Sequence, residues 1–520
     1  MIPRRRALAT AGVAIAALPR PALAQLRRND LDPMPLPVKQ DDTIARGYRR
    51  DVLLRWGDRV AFDAPRWEPN APRPDAAAAQ FGWDARVAAL AVPQQQASDG
   101  VPRAVLAVLH PTVDPLMAWP GGVDRPVVAA AMQGASLLNL ERLGLGWVVV
   151  DGGYQTRRLH GGTLCRLSGP FGGGGSVQGL LGLRGGCTTP WGTLLLAEGD
   201  PRPWIARLGG TDARFASAAA GFGWVAELDP FDPGAVPVKR TGLGRFAHGD
   251  VAATLARDGR AVVYMTDRQE NGFLRRFVSA VPATVPGALD SGTLSVARLA
   301  GARLDWVPVP PETAGAEAGA AAGGSPLDTP AGLGLDPSGP RLLLCCHGSQ
   351  AQPRGYVLEL SAADGDDAAP SADARLLFQA GAPWEGGRYG EGTAASLPPN
   401  SAWPENPSVA AVDGRGRAWI GCDRAGVVGA QADGLFVCDL DGPGRGVPLP
   451  IYGAPRAGAI GGVAFTPDGE VLFAAVRHPG AEPGARFERP GTRWPEFAPG
   501  IPPRSALLGI QRVAGGPVGG

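Results

Sequence analysis

Phe465-Thr466-Pro467-Asp468-Gly469-Glu470, running straight into Val471-Leu472-Phe473-Ala474-Ala475-Val476, decides the fold. Pro, Asp and Gly supply the fixed φ, the local side-chain hydrogen bond and the positive φ that a tight turn needs, and the apolar run has the length of a buried strand. The same unit recurs three more times. Arg257-Asp258-Gly259-Arg260 precedes 261–265, Asp336-Pro337-Ser338-Gly339 precedes 341–346, and Asp413-Gly414-Arg415-Gly416-Arg417 precedes 418–421. Further strand-like runs at 104–109, 147–150, 193–197, 224–229, 293–299 and 356–360 keep a spacing typical of blade-like sheets. So many short antiparallel strands in one chain point to an all-β fold, a β-propeller, because a sandwich rarely grows so long. The strands after the turns end in Thr266-Asp267, Cys346-His347, Cys422-Asp423 and Arg477-His478, so these polar pairs are expected on one face, where loops carry function.

Composition agrees. The 520 residues include 76 Gly and 52 Pro, with 44% hydrophobic residues, which suits a turn-rich sheet protein better than a helical or disordered one. Basic and acidic residues number 50 and 49, and no basic stripe is interleaved with aromatics, so nucleic acid is not an expected partner. Lys39 and Lys239 are the only lysines. Gly172 to Gly175, followed by Ser176, therefore lack the lysine of a phosphate loop. Neither His-Glu-x-x-His nor Gly-x-Ser-x-Gly occurs, which removes the zincin and serine-hydrolase readings.

Residues 1–24 read as an export signal. Arg4, Arg5 and Arg6 precede an apolar stretch at 7–18, and Ala22-Leu23-Ala24 forms a small-residue cleavage site. The paired arginines resemble a twin-arginine signal, so a periplasmic or secreted protein, without a transmembrane segment, is expected. Removing the signal takes away four arginines and no acids, leaving 46 basic and 49 acidic residues and a net charge near −3. The remainder, 25–520, reads as one domain and a monomer, with loop insertions at about 311–326 and 361–375 and one helix over 76–90 capped by Asp75. Six cysteines allow three disulfides, but Cys345-Cys346 and Cys438 lie in apolar runs and read as buried thiols. Cys345-Cys346-His347 is a poor metal site because adjacent strand positions point to opposite faces.

Several segments closely resemble the PhoX-type alkaline phosphatases, exported propeller enzymes that hydrolyse phosphomonoesters with bound iron and calcium. They include 51–58, Gln80-Phe81-Gly82-Trp83, Leu116-Met117-Ala118-Trp119-Pro120-Gly121, Leu167-Ser168-Gly169-Pro170 and Thr189-Pro190-Trp191-Gly192-Thr193. The long run 225–246, Tyr264-Met265-Thr266-Asp267 and His478-Pro479-Gly480 extend the match over most of the chain. The resemblance implies a PhoX-like propeller of six blades.

Its functional positions differ. Where the family places an iron-binding Cys before the Thr-Pro-Trp-Gly-Thr run, this chain has Arg184. The family's Asn-His-Glu is Leu109-His110-Pro111, its Lys-His-Glu-Gly is Ala247-His248-Gly249-Asp250, and its paired glutamates are Glu198-Gly199 with Asp200 beyond. Asp-Arg-Pro-Glu-Asp reads Asp328-Thr329-Pro330-Ala331-Gly332, Pro-Asp-Asn reads Pro407-Ser408-Val409, and an expected Glu is Ala459. Calcium needs six to eight oxygens and iron needs anionic donors. The expected protein is therefore a PhoX-type propeller lacking the phosphomonoesterase centre and serving as an anion-binding or accessory module. A phosphatase with an altered metal set is the alternative. Calcium and iron are expected only if the family site is retained, with His110, Cys187, Glu198, Asp200, His248, Asp250, Asp267, Asp328, Asp423 and His478 as candidate ligands. Arg184, Arg268, Arg424 and Arg477 are the candidate anion binders, for a small anion or a phosphomonoester.

Overall fold

The computed structural model describes residues 31–520 except 96–97, 145, 172–173, 218, 311–314, 316 and 391–396. The export signal expected at 1–24 lies outside them. The repeated unit forms an antiparallel pair in which the Asp side chain closes the turn. Asp413 Oδ1 accepts from the Arg415 amide at 2.9 Å, Asp336 Oδ1 from Ser338 at 2.8 Å, and Asp468 Oδ1 from Glu470 at 3.0 Å.

Each unit is one inner strand and the strand after it. Among the described residues the inner strands are Arg86–Ala91, Leu183–Thr188, His248–Leu255, Pro330–Leu335, Pro407–Val412 and Ala459–Phe465. Each touches the inner strand before and after it, and Ala459–Phe465 touches Arg86–Ala91, so the ring closes on itself. Each pairs antiparallel with its successor: Arg103–His110, Leu194–Glu198, Arg260–Asp267, Arg341–Cys346, Arg417–Cys422 and Val471–Arg477. Further strands add outward, and two of these sheets join where Arg303–Pro308 pairs with Ser371–Gln379. Tyr48–Arg55 pairs with Ala506–Arg512, so the start of the described chain completes the sheet formed by its end. Sharing one sheet between the two ends of the described chain fastens the ring.

Val471–Arg477 is buried at every position, since each sheet is covered on both faces by its neighbours. Where the first and last sheets meet, the backbones approach closely. A Cβ on Gly461 would lie 2.1 Å from the Ala85 carbonyl oxygen, and one on Gly462, at φ +116°, 2.1 Å from that of Val87.

Three local expectations are corrected. The helix covers only Pro74–Ala79, with Arg73 as its cap and Asp75 inside the first turn. Gly82 packs so closely on the Met132 carbonyl and the His110 ring that no side chain fits there, and Arg86–Ala91 gains a ladder with Arg103–His110 that outweighs alanine's helix preference. The segment 361–375 is a loop only over 363–370, because Tyr356–Ala362 and Ser371–Gln379 are paired strands. Within 311–326 part lies outside the described residues, but Ala318 is buried against the Phe273 and Val296 cluster. All six cysteines are free, and all but Cys187 are buried. Among the described residues no helix is long and apolar enough to cross a membrane.

Candidate functional site: an arginine-lined axis

Because every inner strand runs in the same direction, the starts of the inner strands and the ends of their partners gather at one end of the axis. Arg86, Arg184 and Asp250 come from inner-strand starts, and Asp267-Arg268, His347, Asp423 and Arg477-His478 from the ends of second strands. Arg477 is buried and forks onto Asp84, with Nε to Oδ1 at 2.9 Å and Nη2 to Oδ2 at 2.6 Å, while Nη1 bonds Asp423. Arg86 donates to Asp250 Oδ2 at 3.1 Å. Burial would raise Asp423, yet the Arg477 charge and His478 hold it well below the usual carboxylate range. His478 Nε2 lies 3.6 Å from Asp423 Oδ1, and this carboxylate overcomes the effect of burial and raises the imidazole. His347 Nε2 donates to the Asp423 carbonyl oxygen at 2.7 Å.

Two guanidinium groups remain. Arg184 and Arg268 are partly exposed at the same end, and among the described residues no hydrogen bond or ion pair engages either side chain. Burial lowers both. Arg477 adds to the lowering at Arg184, and Arg184 at Arg268, whose value falls to about 9 and leaves it charged at neutral pH. Both also sense Arg86 and the Asp423 carboxylate. Four arginines thus face three carboxylates, Asp84, Asp250 and Asp423. The excess is one positive charge with His478 neutral and two with it protonated, and it resides on the two groups lacking partners. Such a cluster is stabilised by a bound anion.

The other candidates are placed elsewhere or are already engaged. Glu198 is fully buried. Its carboxylate accepts from the Leu181 amide at 3.0 Å, the Gly223 amide at 2.9 Å, the Trp224 amide at 3.2 Å and Lys239 Nζ at 2.8 Å. His110 uses Nδ1 on the Asp84 carbonyl at 2.6 Å and Nε2 on Ser136 Oγ at 2.8 Å. Asp267 accepts from Gln269 at 2.7 Å and faces Arg275 at 3.5 Å. Asp200 pairs with Arg202 at 2.8 Å, and Asp328 accepts from Ser349. Cys187 lies along a channel of about 600 Å³ that follows the axis away from the arginines, with Arg86 and Asp250 among its lining residues. Arg424 points away from the axis, onto Asp433 at 2.6 Å and Glu405 at 3.3 Å.

Among the described residues no three His, Cys, Asp or Glu side chains are placed together to hold a metal ion. The donor set therefore does not fit the iron and calcium that the resemblance implies. Glu198, Asp250 and Asp423 are each paired with a cation, and the groups left without a partner among the described residues, Arg184 and Arg268, are guanidinium groups. A guanidinium has no lone pair to offer a metal.

Asp84 and Arg86, two of the central groups, are missed when the sequence is read as a helix over 76–90. The signal that finds them is alignment with the other units, since Arg86 opens an inner strand as Arg184 and Asp250 do.

His248 carries a pH prediction. It is fully buried, its Nδ1 donates to the Glu198 carbonyl at 3.0 Å, and Nε2 has no partner. Burial pushes it down to about 3, so the folded imidazole stays neutral while the unfolded one, near 6.5, takes a proton. Stability is therefore complete above pH 6.5 and falls as pH drops toward 3. Between pH 6.5 and 4.5 this group costs roughly 2 kcal/mol. His248→Gln should remove that part of the acid sensitivity, as read from urea unfolding at both pH values. An unchanged pH slope would show that His248 does not titrate this way.

Comparisons with known proteins come to the same fold. The family described as alkaline phosphatase PhoX matches residues 31–330. The structure of Pseudomonas fluorescens PhoX, in complex with vanadate as a transition-state analogue, superposes with a TM-score of 0.82 at 24% identity, covering 94% of this chain and 99% of that one. A gluconolactonase from Xanthomonas campestris aligns over 93% of this chain and 95% of its own, at 14% identity, with a TM-score of 0.36. No curated protein matches by sequence. With its closed ring of antiparallel units and more than half its length matched, the chain belongs to the PhoX alkaline phosphatase family.

Proposed function

We propose that this protein is an exported, periplasmic or secreted PhoX-family propeller that binds a small tetrahedral oxyanion at its arginine-lined axis, without the family's metal centre. The anion is phosphate or the phosphoryl group of a monoester. The observation that carries this reading is the pair Arg184 and Arg268, two neighbouring guanidinium groups with no side-chain partner among the described residues. The vanadate bound by the Pseudomonas fluorescens relative, a phosphate-like oxyanion, supports this class of ligand. Arg477 and Arg86, held by Asp84, Asp423 and Asp250, keep the geometry fixed.

In this reading the arginines bind and orient the anion, and Asp423 with His478 stores or releases one proton beside it. Arg184 takes the place of the family's thiolate. Among the described residues no cluster able to hold a metal ion stands at the centre to generate hydroxide at neutral pH, so hydrolysis is not expected.

The test is calorimetric titration of the mature protein with inorganic phosphate at low ionic strength, paired with a 4-nitrophenyl phosphate assay in calcium and iron(III). One phosphate per chain with a Kd of the order of micromolar, and no turnover above buffer, is the expected result. Stoichiometric metal together with turnover overturns the reading in favour of a phosphatase with an altered metal set. Absence of phosphate binding overturns it outright.

A further inference from the structure

Beside the arginines lies a second cavity, of about 560 Å³, walled by Phe171, Trp224 and Phe246 and rimmed by Arg202, Arg245 and Gln269. We infer that it is the subsite for the organic part of the ligand, and that it selects phosphomonoesters or phosphonates carrying a planar aromatic group. This rests on the oxyanion reading of Arg184 and Arg268.

The two sites adjoin through the chain itself. Gln269 on the rim follows Arg268, whose amide donates to the carbonyl of Ala247, another wall residue, at 2.7 Å. Asp200 lines the cavity and lies within electrostatic reach of Arg184. Gly199 between them approaches the Arg184 side chain so closely that a Cβ would sit 2.9 Å from its Cδ. A ligand whose anionic head lies on the two guanidinium groups therefore has its substituent directed toward this cavity.

The walls determine what the cavity accepts. Phe171 and Trp224 are stacked, with centroids 6.3 Å apart and planes 18° from parallel. Trp224 is buried and donates its indole N–H to the Ala220 carbonyl at 2.9 Å, so its position is set. Phe171 is 41% exposed, an aromatic ring left in water at the cavity. Ring faces and a guanidinium rim favour flat π-systems over aliphatic or sugar groups. Arg245 is anchored by its Nε to the Phe222 carbonyl at 2.8 Å, which holds the rim in place.

Phenylphosphonate and methylphosphonate share a head group and resist hydrolysis, so their comparison isolates the ring. Titrated into the mature protein beside inorganic phosphate, phenylphosphonate is expected to bind roughly tenfold tighter than methylphosphonate. Phe171→Ala, at an exposed position, should erase most of that ratio while leaving phosphate affinity unchanged. Equal affinities for the two phosphonates, with phosphate still bound, overturn the subsite and leave the oxyanion site standing. Failure of phosphate and both phosphonates to bind overturns the oxyanion reading itself. A preserved tenfold ratio in Phe171→Ala assigns the ring to another surface and also overturns this proposal.

Discussion

Replacing Arg184 and Arg268 together with Gln is expected to weaken phosphate binding about 100- to 10,000-fold. Hydrogen bonds to charged groups contribute about 1.5–3 kcal/mol each, and the double variant removes the two guanidinium groups that have no competing partner. The remaining charges at the axis, Arg86 and Arg477, are compensated by Asp250, Asp84 and Asp423. Folding should not suffer. Neither side chain holds another part of the protein, and each lies in the unfavourable field of the other, so the unfolding midpoint is expected to stay or rise. This separates a ligand site from structural ion pairing. Arg477→Gln would strand two buried carboxylates and lower stability, whereas the Arg184/Arg268 variant should lose affinity alone. Binding within threefold of the parent chain, measured by titration at low salt, would rule out these two residues as the anion site.

The second large effect concerns stability. Lys239→Met is expected to cost about 3–5 kcal/mol, because it leaves Glu198 as an unpaired carboxylate in the interior. Both side chains are fully buried, and the ammonium also donates to the Gly221 carbonyl at 2.9 Å and lies over the Phe222 ring at 4.4 Å. Adding Glu198→Gln should recover part of the loss, since the amide carries no charge and its oxygen can still accept from the Gly223 and Trp224 amides, which share one carboxylate oxygen in the parent chain. Chemical denaturation of the three variants checks this. A loss under 1 kcal/mol for Lys239→Met would mean that the pair is not closed as described. The result also bears on the metal question, because a Glu198 that must stay paired with Lys239 to keep the fold is not free to ligate.

The fold was largely legible in the sequence because its signals are local. An Asp-Gly turn followed by six apolar residues states a hairpin without knowledge of the rest of the chain, and four such units state a repeat. Arg184, Arg268 and Arg477 could be picked out because they fall near the strand ends expected on one face of the propeller. Arg424, identical in residue type and also near a strand end, could not be told apart from them. Only the tertiary structure shows it turned onto Asp433 and Glu405. Likewise Ala76 to Leu90 has the composition of a helix, and local composition conceals that Arg86–Ala91 is an innermost strand until Arg103–His110 is laid beside it.

By itself the sequence determined the repeating hairpin and the propeller. These are properties of residue type and order along the chain. The tertiary structure decided which charges cancel. Asp84 and Arg477, or Arg86 and Asp250, are far apart in sequence and meet only because the ring closes. A charge bound to a partner and a charge left free are the same letter in a sequence. That distinction separates the structural ion pairs of Lys239, Arg424 and Arg477 from Arg184 and Arg268, on which the proposed function rests.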